Sequence, residues 1–319
     1  MIFQWQLFVL LLVVSIIVYL VGLQNTVNSY GQIERRYTLI PALVIAIPLI
    51  YLAGIRDDNI GDTHAYRASF LNMPSSISQI PEYIAGDMKD KGFAVFSIII
   101  KSIIGNRDAI YFTIIAAICI LCVVLTYKRY SCNFIISMFL FIASGDYIQW
   151  VFNGMRQFIP VSIIFASTGL ILKKKYIPAV ILILILSTVH ASALIMIPLI
   201  FIVQGKAWNK KTVALLIAAV FAITFVDQFT DLLTTIMENT QYSAEVDLFT
   251  SADQMNILRV IVYSIPALIS LVFVKRIREA DNPLINMCVG MSIATMGIYL
   301  AASVTNGIFV GRLGVFTSL

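Results

Sequence analysis

Long stretches without a single charged residue constrain this chain more than any other feature. Residues 7–23, 38–54 and 212–226 contain no Asp, Glu, Lys or Arg, and each approaches the ~20 apolar residues that cross the hydrocarbon core of a bilayer. Hydrocarbon offers no hydrogen-bond partner, so backbone placed there must satisfy itself, as a helix or in a closed barrel. The runs are continuously apolar instead of alternating with a period of two, which selects helices. Composition agrees: 60% of the 319 residues are hydrophobic and 12% are charged, too little polar surface for a water-soluble domain of this length. The predicted class is an all-α polytopic integral membrane protein, a single transmembrane domain over 1–319. It is expected to have about nine or ten spanning helices plus short re-entrant or interfacial ones.

The net charge of +5 does not indicate a nucleic-acid partner, because the basic residues sit in short clusters between apolar runs and orient the chain instead. Those clusters are Arg35/Arg36, Lys128/Arg129, Lys173/Lys174/Lys175, Lys206/Lys210/Lys211 and Lys275/Arg276/Arg278, and the positive-inside bias assigns all five to the cytoplasm. No Lys or Arg precedes the first apolar run, so it reads as a retained helix and not as a cleaved signal. Cys119 and Cys122 form a C-x-x-C, but one turn of a lipid-embedded helix without neighbouring His or Cys is a poor metal or redox site. Neither metal nor cofactor is expected.

The crossings must then alternate. Residues 7–23 run inward to Arg35/Arg36 and 38–54 return, which makes 55–92 an extracytoplasmic loop. Parity allows one crossing between that loop and Lys128. The span is 108–126, and 93–104, ~18 Å long at helical rise, is interfacial or re-entrant. Residues 133–151 go out and 157–172 come back. The block 176–204 lies between two basic clusters yet is one apolar stretch. Its polar middle, Ser187-Thr188-Val189-His190-Ala191-Ser192, suggests two half-helices meeting at His190, since broken helices at membrane depth line a cavity. The alternative is one long tilted helix with Lys206 to Lys211 outside. Residues 212–229 go out to an acidic extracytoplasmic loop, 230–255. Then 256–274 come in and 284–304 go out. The chain stops at Leu319 inside an apolar stretch, which predicts a further helix beyond it.

Thirteen of the 22 Lys and Arg belong to the five clusters, and nine remain on the disfavoured side. Four of these, Arg56, Arg156, Arg259 and Arg312, fall at the outer ends of apolar helices. An arginine there either snorkels to water or meets an anion. Four together, with His190, favour a shared anionic ligand, and the planar guanidinium fork suits phosphate oxygens. A carboxylate on a sugar or small solute is the other candidate. Within 54–66, Gly61-Asp62 marks a turn in which Asp62 is expected to cap a helix that carries Tyr66 one turn later. An ordinary solvated loop is the plainer reading of that segment. Asn153-Gly154-Met155-Arg156-Gln157 opens a helix, where free N–H groups and the dipole favour an anion. His190 is the third polar patch, an ionisable group within an apolar block.

In this order the patches resemble the EpsG/Wzy family of bacterial polysaccharide polymerases, the O-antigen and exopolysaccharide polymerases. The resemblance is carried by Arg56 with Gly61-Asp62-x-x-x-Tyr66, by Asn153-x-x-Arg156-Gln157, by His190-Ala-Ser192-Ala-Leu194 and by Gly311-Arg312-Leu313. It implies a helical bundle like the GT-C glycosyltransferases in the bacterial cytoplasmic membrane, with its active site facing the exterior. The implied substrate is an undecaprenyl diphosphate-linked oligosaccharide, whose glycan passes to a hydroxyl of the next lipid-linked repeat unit. Membrane lipid and a chain-length regulator protein are the other partners implied. On this reading Arg156 and Arg312 bind the diphosphate with help from Arg56 or Arg259, Asn153, Gln157 and Tyr66 contact substrate, and His190 or Asp62 is the general base. Tyr66 and Trp150 are candidates for stacking on sugar rings. An O-antigen-type ligase and a flippase for lipid-linked oligosaccharide remain open beside the polymerase.

Overall fold

The computed structural model describes residues 9, 13, 16, 23–27, 33–86, 88–224, 255–304 and 307–319, with backbone alone for 23–27, 33–36, 222–223 and 308–309. The expected first span at 7–23 and the acidic loop at 230–255 therefore lie almost wholly outside the described residues. Apart from one hairpin, the regular structure described is helical. Strands β1 (Leu23–Val27) and β2 (Ile33–Tyr37) pair antiparallel, with Asn25 opposite Arg35 and Gln24 opposite Arg36. This corrects the placing of Arg35 and Arg36 in a loop: both are on a strand, where Thr26, Val27, Ile33 and Tyr37 supply β-favouring side chains.

The chain continues through α1 (Leu39–Gly54), α2 (Thr63–Asn72), α3 (Ile80–Ala85), α4 (Lys91–Ile104), α5 (Asp108–Tyr130), α6 (Phe134–Ala143), α7 (Asp146–Asn153) and α8 (Met155–Ala166). After these come α9 (Thr168–Leu172), α10 (Tyr176–Ser187), α11 (Ala191–Ile202), α12 (Lys210–Thr224) and α13 (Ile257–Val272). The last four are α14 (Val274–Ala280), α15 (Pro283–Ala302), α16 (Gly307–Leu313) and α17 (Val315–Ser318).

Two of the described helices, α5 and α15, are long and apolar enough to cross a membrane alone, and four spans result if each bent pair counts as one. The first bent pair, α6 with α7, turns by 66° at Ser144-Gly145, where Gly145 takes φ +85°, a conformation that glycine adopts without Cβ strain. The second, α13 with α14, turns by 71°. The expected crossing at 157–172 is broken between α8 and α9 at Ser167. The predicted short helix at 93–104 is α4, and its 14 residues give ~21 Å, below a span. The block 176–204 is interrupted as anticipated: α10 ends at Ser187, and a turn through His190 precedes the 3-10 segment that opens α11.

Two compact units emerge. The first contains the chain to Gly86, Asp90–Thr168 and Leu186–His190, and it is built around α5. Ile115, Ala116, Cys119, Ile120, Val123 and Val124 of that helix are buried, and α1 and α8 pack on it. Gly54 lets α1 approach closely, since a Cβ there would lie 2.0 Å from Thr113 Oγ1. The Tyr147 hydroxyl donates to the Leu49 carbonyl at 2.7 Å, tying α7 to α1.

The second unit contains Asp87–Lys89, Gly169–Ile185 and Ala191–Leu319 and is built around α15, against which α12, α13, α16 and α17 pack. Helix α13 is inverted relative to a helix of a soluble protein. Val260, Ser264, Ala267 and Ser270 face inward, while Ile257, Leu258, Ile261, Val262, Ile265, Leu268, Ile269 and Val272 are exposed. Water would penalise that arrangement heavily, but lipid does not, and small inward residues allow close helix packing. The chain is a membrane protein.

Candidate functional site

Three of the polar patches singled out in the sequence meet in the first unit. The first contact joins the Gly61 turn to the start of α8. Gly61 has φ +58°, and a Cβ at this position would fall 1.5 Å from Asn153 Oδ1. That oxygen accepts the Asp62 N–H at 3.1 Å, and the Tyr66 hydroxyl donates to the Asn153 carbonyl at 3.0 Å. Asp62 does occupy the N-cap position of α2, and its carbonyl accepts the Tyr66 N–H, but its carboxylate makes no capping bond. The expected side-chain cap is thus corrected. The Asp62 carboxylate is exposed, and its own backbone N–H is taken by Asn153 from across the fold.

The second contact brings in a residue that the sequence did not flag. Arg156 Nη1 lies 3.3 Å from Asp90 Oδ2, with the arginine side chain 45% exposed and the aspartate 10%. Two residues further, the Gly92 N–H donates to the Thr188 carbonyl at 2.8 Å. A Cβ at Gly92 would meet Thr188 Oγ1 at 2.2 Å and the Thr188 carbonyl at 2.7 Å. The turn closed by Thr188 continues to His190, whose N–H donates to the Leu186 carbonyl at 3.1 Å. The segment 90–92 thus links Arg156 at the head of α8 to the turn that bears His190. Gln157 is buried beside Arg156.

Arg56 sits inside the packing. It is 3% exposed, its Nε donates to the Ala53 carbonyl at 2.6 Å and its Nη1 to the Val151 carbonyl at 2.9 Å. The rings of Phe112 and Phe152 lie 4.4 and 4.7 Å from the guanidinium carbon, and its Nη2 is buried without a hydrogen bond. The charge therefore rests on two helix C-termini and two aromatic faces, all of which favour a cation. Burial pushes the guanidinium down to about 10, still high enough to keep it charged at neutral pH. Val151 lies in the π-turn Gln149–Asn153 that ends α7, so Arg56 braces the backbone just before Asn153 and Arg156. Trp150 is also buried, with its Nε1 donating to Asp146 Oδ1 at 3.1 Å.

Two further cations hold the segment from Arg56 to Met73. Arg67 pairs with Asp58 and Asp108 and donates to the Arg56 carbonyl at 3.2 Å. Lys101, 2% exposed, gives its ammonium to the carbonyls of Phe70, Leu71 and Met73 at 2.9, 2.7 and 2.6 Å, capping the C-terminus of α2. Asp57 accepts the backbone and side-chain N–H groups of Asn59, which hold its carboxyl below the usual range. Lys101 and Arg67 belong to none of the motifs, and only their place among the nine basic residues outside the five clusters marked them in the sequence.

Arg259 and Arg312 belong to the second unit, and both are exposed. Their elements converge on Met255, whose N–H donates to the Ala302 carbonyl at 3.3 Å. Gly307 and Gly311 of α16 leave room for Met255, and a Cβ on Gly311 would lie 2.2 Å from its Cε. Arg259 is one turn beyond Met255, and Arg312 follows Gly311. Among the described residues, no three His, Cys, Asp or Glu gather into a group able to hold a metal ion.

One family model matches the chain, that of the EpsG family, over residues 39–319. No curated protein and no solved structure matches it.

Proposed function

The chain belongs to the EpsG family, a membrane protein of polysaccharide-polymerase, glycosyltransferase-like type, and on that premise we propose that it lengthens glycans carried on undecaprenyl diphosphate at the outer face of the bacterial cytoplasmic membrane. In this reading the shorter apolar helices complete a GT-C-like bundle of about nine or ten crossings. The observation that carries the reading is the meeting, within one unit, of the Gly61–Tyr66 turn, the head of α8 with Arg156, and the turn at His190.

The reaction proposed is a glycosyl transfer. A hydroxyl of the acceptor repeat unit forms a bond to the anomeric carbon of the donor glycan. The bond from that carbon to the diphosphate breaks, and undecaprenyl diphosphate leaves with the electron pair. His190 or Asp62 takes the hydroxyl proton as general base. Arg156 holds the diphosphate and offsets the charge that grows on it, the kind of electrostatic stabilisation that usually contributes most to catalysis. Arg312 and Arg259 are proposed as phosphate ligands in the second unit. Arg56, Asn153 and Tyr66 support the site by fixing the π-turn and the Gly61 loop.

The test is polymerisation in proteoliposomes supplied with purified lipid-linked repeat units. The wild type should form a ladder of lengthened chains, and Arg156→Ala, Arg312→Ala and His190→Ala should leave single units. Wild-type ladders from all three variants would refute the assignment. A requirement for a second, non-lipid-linked acceptor would indicate a ligase, and translocation without bond formation a flippase.

A further inference from the structure

We infer that Asp90 is a positioning residue: its carboxylate orients Arg156 and ties it to the His190 turn, so that one edge of the guanidinium is held while the rest engages an anionic ligand. The inference rests on the assignment of Arg156 as a phosphate-binding residue.

The local backbone suits Gly, Asn or Asp at this position but does not call for a charge. Asp90 has φ +58°, a left-handed conformation that costs an L-residue about 1 kcal/mol and that glycine adopts freely. It precedes α4 without making a side-chain cap, so the usual reason for Asp before a helix is absent. Its carboxylate is nevertheless nearly buried and meets a cation that lies 66 residues further along the chain. Burying a carboxylate is costly unless it is paired, and the pair it makes is with Arg156. The contact is made through Nη1, and Arg156 remains 45% exposed. One carboxylate does not occupy all five N–H donors of a guanidinium. The neighbouring arginines of the unit differ: Arg67 is committed to two carboxylates and Arg56 is enclosed. The close packing of Gly92 on Thr188 then fixes where the Asp90–Arg156 pair stands relative to the His190 turn.

The test is a double-mutant cycle on full-length protein in lipid nanodiscs. Asp90→Asn removes the charge but retains a residue that tolerates the left-handed region, and Arg156→Lys retains a cation without the fork. The polymerisation rate is measured with lipid diphosphate-linked repeat units, and the thermal shift produced by undecaprenyl diphosphate is measured alongside. Asp90→Asn should lower kcat about tenfold with KM little changed, the pattern of a lost transition-state contact. In the Arg156→Lys background it should cost less than about twofold, because coupled residues are not additive. The diphosphate-induced shift should show the same dependence. Equal losses in both backgrounds, or wild-type values in Asp90→Asn for both rate and shift, would overturn the inference. If the wild type binds undecaprenyl diphosphate through the Asp90–Arg156 pair yet forms no polymer, the polymerase reading fails while the positioning role stands.

Discussion

Lys101 and Arg56 show how a cation can be buried in this protein without a carboxylate. Each spends its donors on the exposed carbonyls at the ends of helices, where the dipole is negative. For Lys101, three carbonyls take the three ammonium hydrogens, so replacement leaves an uncapped end of α2 in the interior. Lys101→Met should lower stability by about 2–4 kcal/mol, read as a fall in melting temperature of the detergent-solubilised protein; an unchanged melting temperature would refute the capping role. Arg56→Lys should also destabilise the protein, since one ammonium cannot reach Ala53 and Val151 while lying between two rings. A melting temperature within error of wild type would show that the fork is dispensable.

Elements in this fold approach closely at glycines, and the consequences differ from one glycine to the next. Gly92 has Thr188 against it, whereas a Cβ at Gly86 would meet nothing within 4 Å. Gly92→Ala should therefore displace the start of α4 from the His190 turn and reduce polymer formation by about tenfold or more. Gly86→Ala should stay within about 0.5 kcal/mol of wild-type stability and keep full activity. Equal behaviour of the two variants, in paired activity and melting assays, would contradict the packing described. Helix α13 offers a second contrast. Ala267 is fully buried, so Ala267→Leu should cost about 1–3 kcal/mol through overpacking, whereas the exposed Ile269 should accept leucine without loss of melting temperature. The break at His190 was legible beforehand because the Ser187–Ser192 patch interrupts an apolar run, whereas the bend between α6 and α7 falls inside 133–151, which reads from the sequence as one crossing. The strand at Arg35 and Arg36 was not legible either, because a five-residue strand beside long apolar runs leaves only a weak pattern.

For the whole molecule, the proposed reaction requires one orientation in the membrane, and the distribution of charge predicts it. The site-bearing turn at Asp57–Tyr66 should face the exterior and the lysine clusters the cytoplasm. In a cysteine-free background, a cysteine at His64 should react with a membrane-impermeant maleimide in intact cells, and one at Lys174 only after permeabilisation. The reverse labelling pattern would invert the topology and remove the site from the outer face. Apolar runs without charge determine, from sequence alone, that lipid is the solvent, because backbone in hydrocarbon must satisfy its own hydrogen bonds locally and the necessary pattern is therefore written along the chain. The four arginines, His190 and the Gly61 turn were legible for the same reason, as polar residues stand out against such a background. Which of them meet was decided only by tertiary packing. Asp90 finds Arg156, Lys101 closes α2, and Arg56 turns inward to Val151, each across dozens of residues. Such pairings depend on how helices approach one another, through contacts as small as a missing Cβ at Gly61 or Gly92, and no local pattern encodes that approach.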